Sequence, residues 1–322
     1  MKRILTTQEL KKSWNKFGLD YINYLERCIF TVYVNILNLS KLEGKSKILE
    51  LACGGGHGLR YLVGMELFNP LNQLTNTKKI FAGELAENML IRTYNNLKTD
   101  LNNNDKFRNF ELNHFNVDEV SKIISHRKEF SFLFETDANK TQINLLSLNN
   151  ENLEVFDENY FDAVISNMSL NLVNDPSKML KETSRVLNKE NKDNLACFSI
   201  WGRPERSFFL TLVPNTLKKF EIKVPNIRSN FHLSNEEKLR DLVLSNGFNK
   251  VKVSYVQLNL NHESFEDFEY LLEAPTYKEL FEEMEEKLRV EVIKDMRSQY
   301  DEVINSWNKC IDMEAFIVRC RI

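Results

Sequence analysis

Lys47-Ile48-Leu49-Glu50-Leu51-Ala52-Cys53-Gly54-Gly55-Gly56-His57-Gly58 decides the fold. The run Lys47 to Ala52 is short, apolar and stops at glycines, which is the pattern of a buried strand entering a tight turn. A helical stretch follows from His57 to Met65. Lys79-Ile80-Phe81-Ala82-Gly83 reads as a second strand and Ala86 to Leu97 as a second helix. Strand, helix, strand, helix in that order implies parallel pairing and an α/β sheet. Consecutive glycines let the backbone turn sharply and let a ligand come within contact distance. The helix start that follows offers free N–H groups. A nucleotide-like ligand at the carboxyl ends of the strands is the expected occupant.

The spacing narrows the ligand. A dinucleotide fingerprint needs G-x-G-x-x-G. From Gly54 the third glycine would fall at Leu59, and from Gly56 at Tyr61, so both frames fail. Glu50, four residues before the first glycine, sits badly beside a pyrophosphate. It suits a cationic ligand carrying an amino group.

Outward from this turn, Gln8 to Leu39 reads as mostly helix, with Gly18 marking a break. Residues 99–140 are polar and rich in asparagine and read as a surface insertion in which Val117 to Glu129 forms a helix. Gln142 to Leu148, Tyr160 to Ser166 and Leu195 to Trp201 read as further strands. Asp175-Pro176 opens a helix through Leu187, with proline where the missing N–H does no harm. Ser234 is expected to cap another helix, with Glu237 completing a capping box. Val251 to Leu258 and Ala315 to Cys320 read as the last strands. Between them Ser264 to Trp307 is a long charged helical stretch interrupted at Pro275.

Composition limits the alternatives. The 322 residues carry 43 basic and 46 acidic side chains, a formal charge of −3, without the basic excess of a dedicated nucleic-acid binder. No apolar run reaches the roughly 18 residues of a membrane span, and the polar start after Met1 gives no secretory signal. Cys28, Cys53, Cys197, Cys310 and Cys320 are scattered, with no C-x-x-C pair. That pattern argues against a metal centre and a disulfide framework, and for a reducing, cytoplasmic location.

With these motifs in hand, the sequence resembles the class I S-adenosylmethionine-dependent methyltransferases, in particular the ubiquinone/menaquinone-type small-molecule branch (methyltransferase type 11). Glu50, Ala52, Cys53, Gly54 and Gly56 occupy the frame of the family's first motif, with Ala52 in place of the usual first glycine. Gly83-Glu84-Leu85-Ala86-Glu87-Asn88-Met89-Leu90 matches the second. The resemblance implies that Glu84 holds the ribose hydroxyls and that Leu85 and Met89 line the cofactor. Asn149 stands where the family often has an aspartate against the adenine amino group, and Asn150 follows it in the same cofactor-binding motif. An amide oxygen can accept the same bond. Phe161 to Leu170, followed by Val173-Asn174-Asp175-Pro176, matches the fourth motif, and Ser166 and Asn167 would face the methionine part.

The implied fold is a Rossmann-like, mostly parallel seven-stranded sheet with helices on both faces and an antiparallel last strand. The layout is one domain over 1–322: a helical lid at 1–44, a core at 45–98 and 141–258, the insertion at 99–140, and a helical addition with the last strand at 259–322. The implied reaction is methyl transfer from S-adenosylmethionine to a small-molecule acceptor, with no metal. A protein or tRNA methyltransferase, or a non-catalytic binder of the cofactor, is the alternative. Methyl transfer needs alignment and a dry site, and a general base only when the nucleophile must lose a proton. No residue announces itself as that base. Asn167, Asn171, Trp201 and Arg203 lie near the strand ends where an acceptor would sit, and Trp201 and Arg203 rank first. Trp14, Tyr21, Tyr24, Phe265, Phe268, Tyr270 and Tyr277 are candidates for an acceptor lid. His57 reads as packed or cofactor-lining, and His232 as a solvated loop residue. Asn167-Met168-Ser169-Leu170 lacks the N-P-P-Y pattern used on base and glutamine amines.

Overall fold

Ile48, Leu49 and Leu51 are fully buried because strand β1 (Lys47–Leu51) is covered on both faces. Ile48 joins one apolar cluster and Leu49 and Leu51 the other. This period of two puts Glu50 on the Ile48 face. In β2 (Lys79–Glu84), Ile80 and Ala82 share that cluster and Phe81 takes the opposite one, so Glu84 falls on the same face as Glu50. The computed structural model describes residues 6–42, 44–68, 79–103, 110–125, 141–223, 229–260, 262, 264–273, 277–306 and 310–322.

The remaining described strands are β3 (Phe110–Phe115), β4 (Thr141–Ser147), β5 (Ala163–Ser166), β6 (Leu195–Trp201), β7 (Lys250–Leu260) and β8 (Ile311–Arg321). They form one sheet in the order β3-β4-β2-β1-β5-β6-β8-β7. Pairings from β3 through β6 are parallel, and β8 runs antiparallel to both β6 and β7. The Rossmann-like methyltransferase fold and its reversed last strand are as expected. The strand count is not: among the described residues the sheet has eight strands where seven are expected.

The additional strand comes from the segment read as a surface insertion. Within 99–140, β3 pairs with β4 along Phe110 to Phe115, and helix α5 (Val117–Ser125) follows it, its Val120 buried in the second cluster. The expected helix to Glu129 runs past Ser125 into residues outside those described.

Helices α1 (Thr7–Asp20) and α2 (Phe30–Ser40) are joined by a π-helical turn, Tyr21–Leu25. The break therefore falls after Asp20 and not at Gly18, which stays helical and receives Met89: a β-carbon there would lie 3.0 Å from Met89 Cε. Helices α3 (His57–Phe68) and α4 (Glu87–Asn102) follow β1 and β2. Helix α6 (Pro176–Val186) starts at an Asp175 cap that accepts the Lys178 N–H at 3.1 Å, with proline at the first turn as expected. Helix α7 (Phe208–Lys219) carries Pro214 inside it and buries Phe209, Leu212, Val213 and Leu217.

Helix α8 (Glu236–Leu244) is capped by Asn235, whose side chain accepts the Lys238 N–H at 2.9 Å. Ser234 instead donates to the Phe231 carbonyl, so the expected serine capping box is not formed. Among the described residues the charged stretch after β7 holds the α-helices α9 (Glu266–Glu269), α10 (Lys278–Glu283) and α11 (Glu286–Ile304), with a 3-10 turn at Tyr270–Glu273, and Pro275 lies outside the described residues.

Candidate cofactor site

The carboxyl ends of β1, β2, β4 and β5 meet at the glycine turn. Leu51 pairs with Gly83 and with Ser166, and Glu84 with Ser147. The turn is tied to its neighbours through the backbone. The Cys53 N–H donates to the Gly83 carbonyl at 3.0 Å, and the Leu148 N–H to the Glu84 carbonyl at 3.0 Å. Ala52 has φ +55, Gly54 +59 and Gly56 +83, so the turn needs left-handed backbone at three positions. Alanine at Ala52 bears the strain that glycine would avoid.

Two buried carboxylates converge on this turn. Glu50 is 2% exposed and accepts the Tyr33 hydroxyl at 2.9 Å. Burial pushes its carboxyl from the ordinary 4.5 up to about 8, helped by the like charges of Glu26 and Glu84 and opposed by the Tyr33 donor. Glu84 is 6% exposed and accepts the N–H of Gly54 at 2.9 Å and of Ala86 at 2.9 Å. Burial raises it above the usual carboxylate range, and the N–H donors of Ala86, Gly54 and Leu85 oppose that rise. Glu84 is thus a structural acceptor that ties the glycine turn to the end of β2.

The segment between α1 and α2 closes over the turn. A β-carbon on Gly54 would lie 3.3 Å from Tyr21 Cε1, and one on Gly55 2.5 Å from Glu26 Oε2 and 2.6 Å from Ile22 Cγ1. Glu26 is itself buried, its Oε2 2.8 Å from His57 Nδ1. Burial, then the charges of Glu26 and Glu84, pushes the Tyr21 hydroxyl well above its ordinary value. On the other side Thr93 of α4 donates to the Gly54 carbonyl at 3.1 Å and packs against Gly56. Much of the close approach that the glycines permit is therefore made by the protein's own side chains.

The sequence-derived residues fall as follows. Glu50, Ala52, Cys53, Gly54, Gly56 and Glu84 form the turn and its rim, and Leu85 follows β2. Met89 is buried beneath α1 with Ile22. Asn149 and Asn150 follow β4, where the Asn149 side chain already accepts the Glu151 N–H at 3.0 Å. Ser166 ends β5 and donates to the Leu51 carbonyl at 2.9 Å, while Asn167 accepts the Ser199 hydroxyl at 2.7 Å. Arg203 is held by Glu314, with Nε 2.9 Å from Oε1 and an Nη 2.6 Å from Oε2, and lies over the Tyr255 ring. Trp201 is buried. His232 lies in a loop, its Nδ1 2.9 Å from the Ser229 carbonyl oxygen. Tyr21 lies at the glycine turn, and nothing is described of the Tyr24 side chain. Glu26, Tyr33 and Thr93 are the residues sequence reasoning missed. Tyr33 alone left a signal, as a tyrosine on the buried stripe of a helix.

Residues 128–192 match the family model described as a methyltransferase domain. That segment includes β4, β5 and α6, begins inside the stretch set aside as an insertion, and excludes the glycine turn. No curated protein sequence matches this one. Among solved structures, a protein designated a methyltransferase of an antibiotic biosynthesis pathway in Anabaena variabilis superposes with a TM-score of 0.52 at 13% identity, covering 91% of this chain and 97% of that one. The [4+2]-cyclase SpnF superposes with a TM-score of 0.53 at 11% identity, covering 99% and 98%. Identities this low define a shared fold. The fold is that of the class I methyltransferases, and residues 128–192 are similar to a methyltransferase domain. Among the described residues no helix is long and apolar enough to cross a membrane.

Proposed function

We propose that the chain transfers the methyl group of S-adenosylmethionine to a small-molecule acceptor. One observation carries this reading: Glu50 and Glu84, both buried, converge on a glycine turn at the carboxyl ends of parallel strands. Buried carboxylates are stable when they meet positive charge or donors. A ligand bearing an ammonium group, a sulfonium and a ribose supplies both, so the residues fit it.

In this reading Glu50 accepts the ammonium and Glu84 the ribose hydroxyls, with lone pairs left over from its two backbone bonds. Ala52, Cys53, Gly54 and Gly56 give the backbone wall. Leu85 and Met89 flank the ribose side, Asn149 and Asn150 the adenine, and Ser166 and Asn167 the methionine. The bound cofactor supplies a methyl group on a positively charged sulfur. The protein's part is to align an acceptor in line with that bond and to exclude water. Helices α1, α2, α10 and α11 are the proposed cover for the acceptor.

The experiment is calorimetry with S-adenosylmethionine, S-adenosylhomocysteine and NAD, followed by labelled methyl donor in a cell extract. Binding of the first two and label in the small-molecule fraction is the expected result. No heat with either would remove the reading, and label in RNA or protein would redirect it. A second reading has one specific support: a neighbour of the same fold is described as a cyclase. The fold does not compel methyl transfer, and cofactor binding without turnover would favour that alternative.

A further inference from the structure

We infer that Tyr33 is a positioning residue of the cofactor site: from helix α2 its hydroxyl fixes the Glu50 carboxyl group and eases its ionisation when the ammonium group of the cofactor arrives. The inference rests on the proposed role of Glu50. Its own support is geometric.

Tyr33 is 3% exposed and its hydroxyl lies 2.9 Å from Glu50 Oε2. Among the described residues, no other hydrogen bond reaches that carboxylate. The ring is fixed from a second side. Gly58, in the first turn of α3, has no β-carbon, and one there would lie 2.4 Å from Tyr33 Cε2. The last glycine of the Gly54 to Gly58 run thus makes room for a protein ring and not for a ligand.

Charge gives the arrangement its purpose. The titratable groups that face Glu50 are Tyr33 from α2, Tyr21 and Glu26 from the segment between α1 and α2, Cys53 from the turn, and Glu84 from β2. Two of these are carboxylates and none is a cation. Such surroundings favour the protonated acid, which cannot pair with an ammonium group. A hydroxyl donated to the carboxylate favours the ionised form. Burial already takes Glu50 to about 8 with that donor in place, so removing it moves the group further from readiness at neutral pH.

The test is the affinity for S-adenosylmethionine and S-adenosylhomocysteine from about pH 6 to pH 9 in wild type, Tyr33→Phe and Glu50→Gln. Both ligands carry the same amino group, so its own titration cancels in the ratio of wild type to variant. Tyr33→Phe should weaken both ligands by roughly tenfold at pH 7, with the deficit shrinking toward pH 9. Glu50→Gln should be weak throughout, with no such recovery. A Tyr33→Phe deficit of equal size at every pH, or no deficit, would overturn the inference. Tyr33→Phe keeps the ring against Gly58, and matching circular dichroism with wild type guards against misfolding. If wild type binds neither ligand, the methyltransferase reading fails first, which the wild-type arm alone reveals.

Discussion

The Glu84 carboxylate accepts the Gly54 backbone N–H at 2.9 Å, so the end of one strand holds the turn that leaves its neighbour. A second N–H, from Ala86, meets the other carboxylate oxygen. Glu84→Ala should therefore lose stability as well as cofactor affinity. A buried donor left unpaired costs about 1–3 kcal/mol, so losing both should cost roughly 2–6 kcal/mol. Cofactor affinity should fall roughly ten- to a hundredfold. Glu84→Gln, which keeps one acceptor oxygen, should lose about half the stability. Urea denaturation and calorimetry check both, and an unchanged midpoint in Glu84→Ala would contradict the structure.

Ala52 offers the opposite opportunity. At φ +55 an alanine is strained by about 1–2 kcal/mol. Ala52→Gly removes that strain but adds freedom to the unfolded chain. The net should be a gain of about 0.5–1 kcal/mol. A drop in the denaturation midpoint at constant slope would mean that the left-handed turn is misplaced.

Gly58→Ala reverses a common expectation. Alanine usually favours a helix over glycine by about 1 kcal/mol. Here its β-carbon would meet the Tyr33 ring, and overpacking costs about 1–3 kcal/mol. The variant should be destabilised, and Tyr33→Leu in the same chain should recover part of the loss. Strict additivity of the two would show that the ring and the glycine do not meet.

The pH dependence of the ligand-free protein follows from Glu50. Its folded value lies near 8 and its ordinary value near 4.5. Between them the folded state holds the extra proton, so stability is full below 4.5 and is lost as pH rises toward 8. Glu84, shifted in the same direction, adds to the slope. Melting temperature should fall from about pH 5 to about pH 8 in wild type and fall less in Glu50→Gln. A rising wild-type curve, or identical slopes, would refute the assignment.

The sequence disclosed the sheet's centre because both faces of β1 and β2 are buried, which leaves continuous apolar runs ending at glycines. It hid β3, whose residues Phe110 to Phe115 are only partly buried at the sheet edge and sit among asparagines. It hid α7, since Pro214 argues against the helix that Phe209, Leu212 and Val213 stabilise by burial. Capping near Ser234 was a choice between adjacent good caps, and local geometry took Asn235. At the site, strand ends and glycines were visible as short motifs. Glu26, Tyr33 and Thr93 come from helices whose approach to the turn is set by tertiary packing, to which no local spacing points.

Strand β8 is made after β7 yet lies between β7 and β6. During synthesis, β7 can therefore find no seat on the growing sheet. Its native neighbour is β8, so native pairing of β7 requires Ile311 to Arg321 to be in place. Closure of that half of the protein is a late, long-range event, the kind that sets slow folding rates. Until then, an eleven-residue strand is open to chaperones and to misplaced partners.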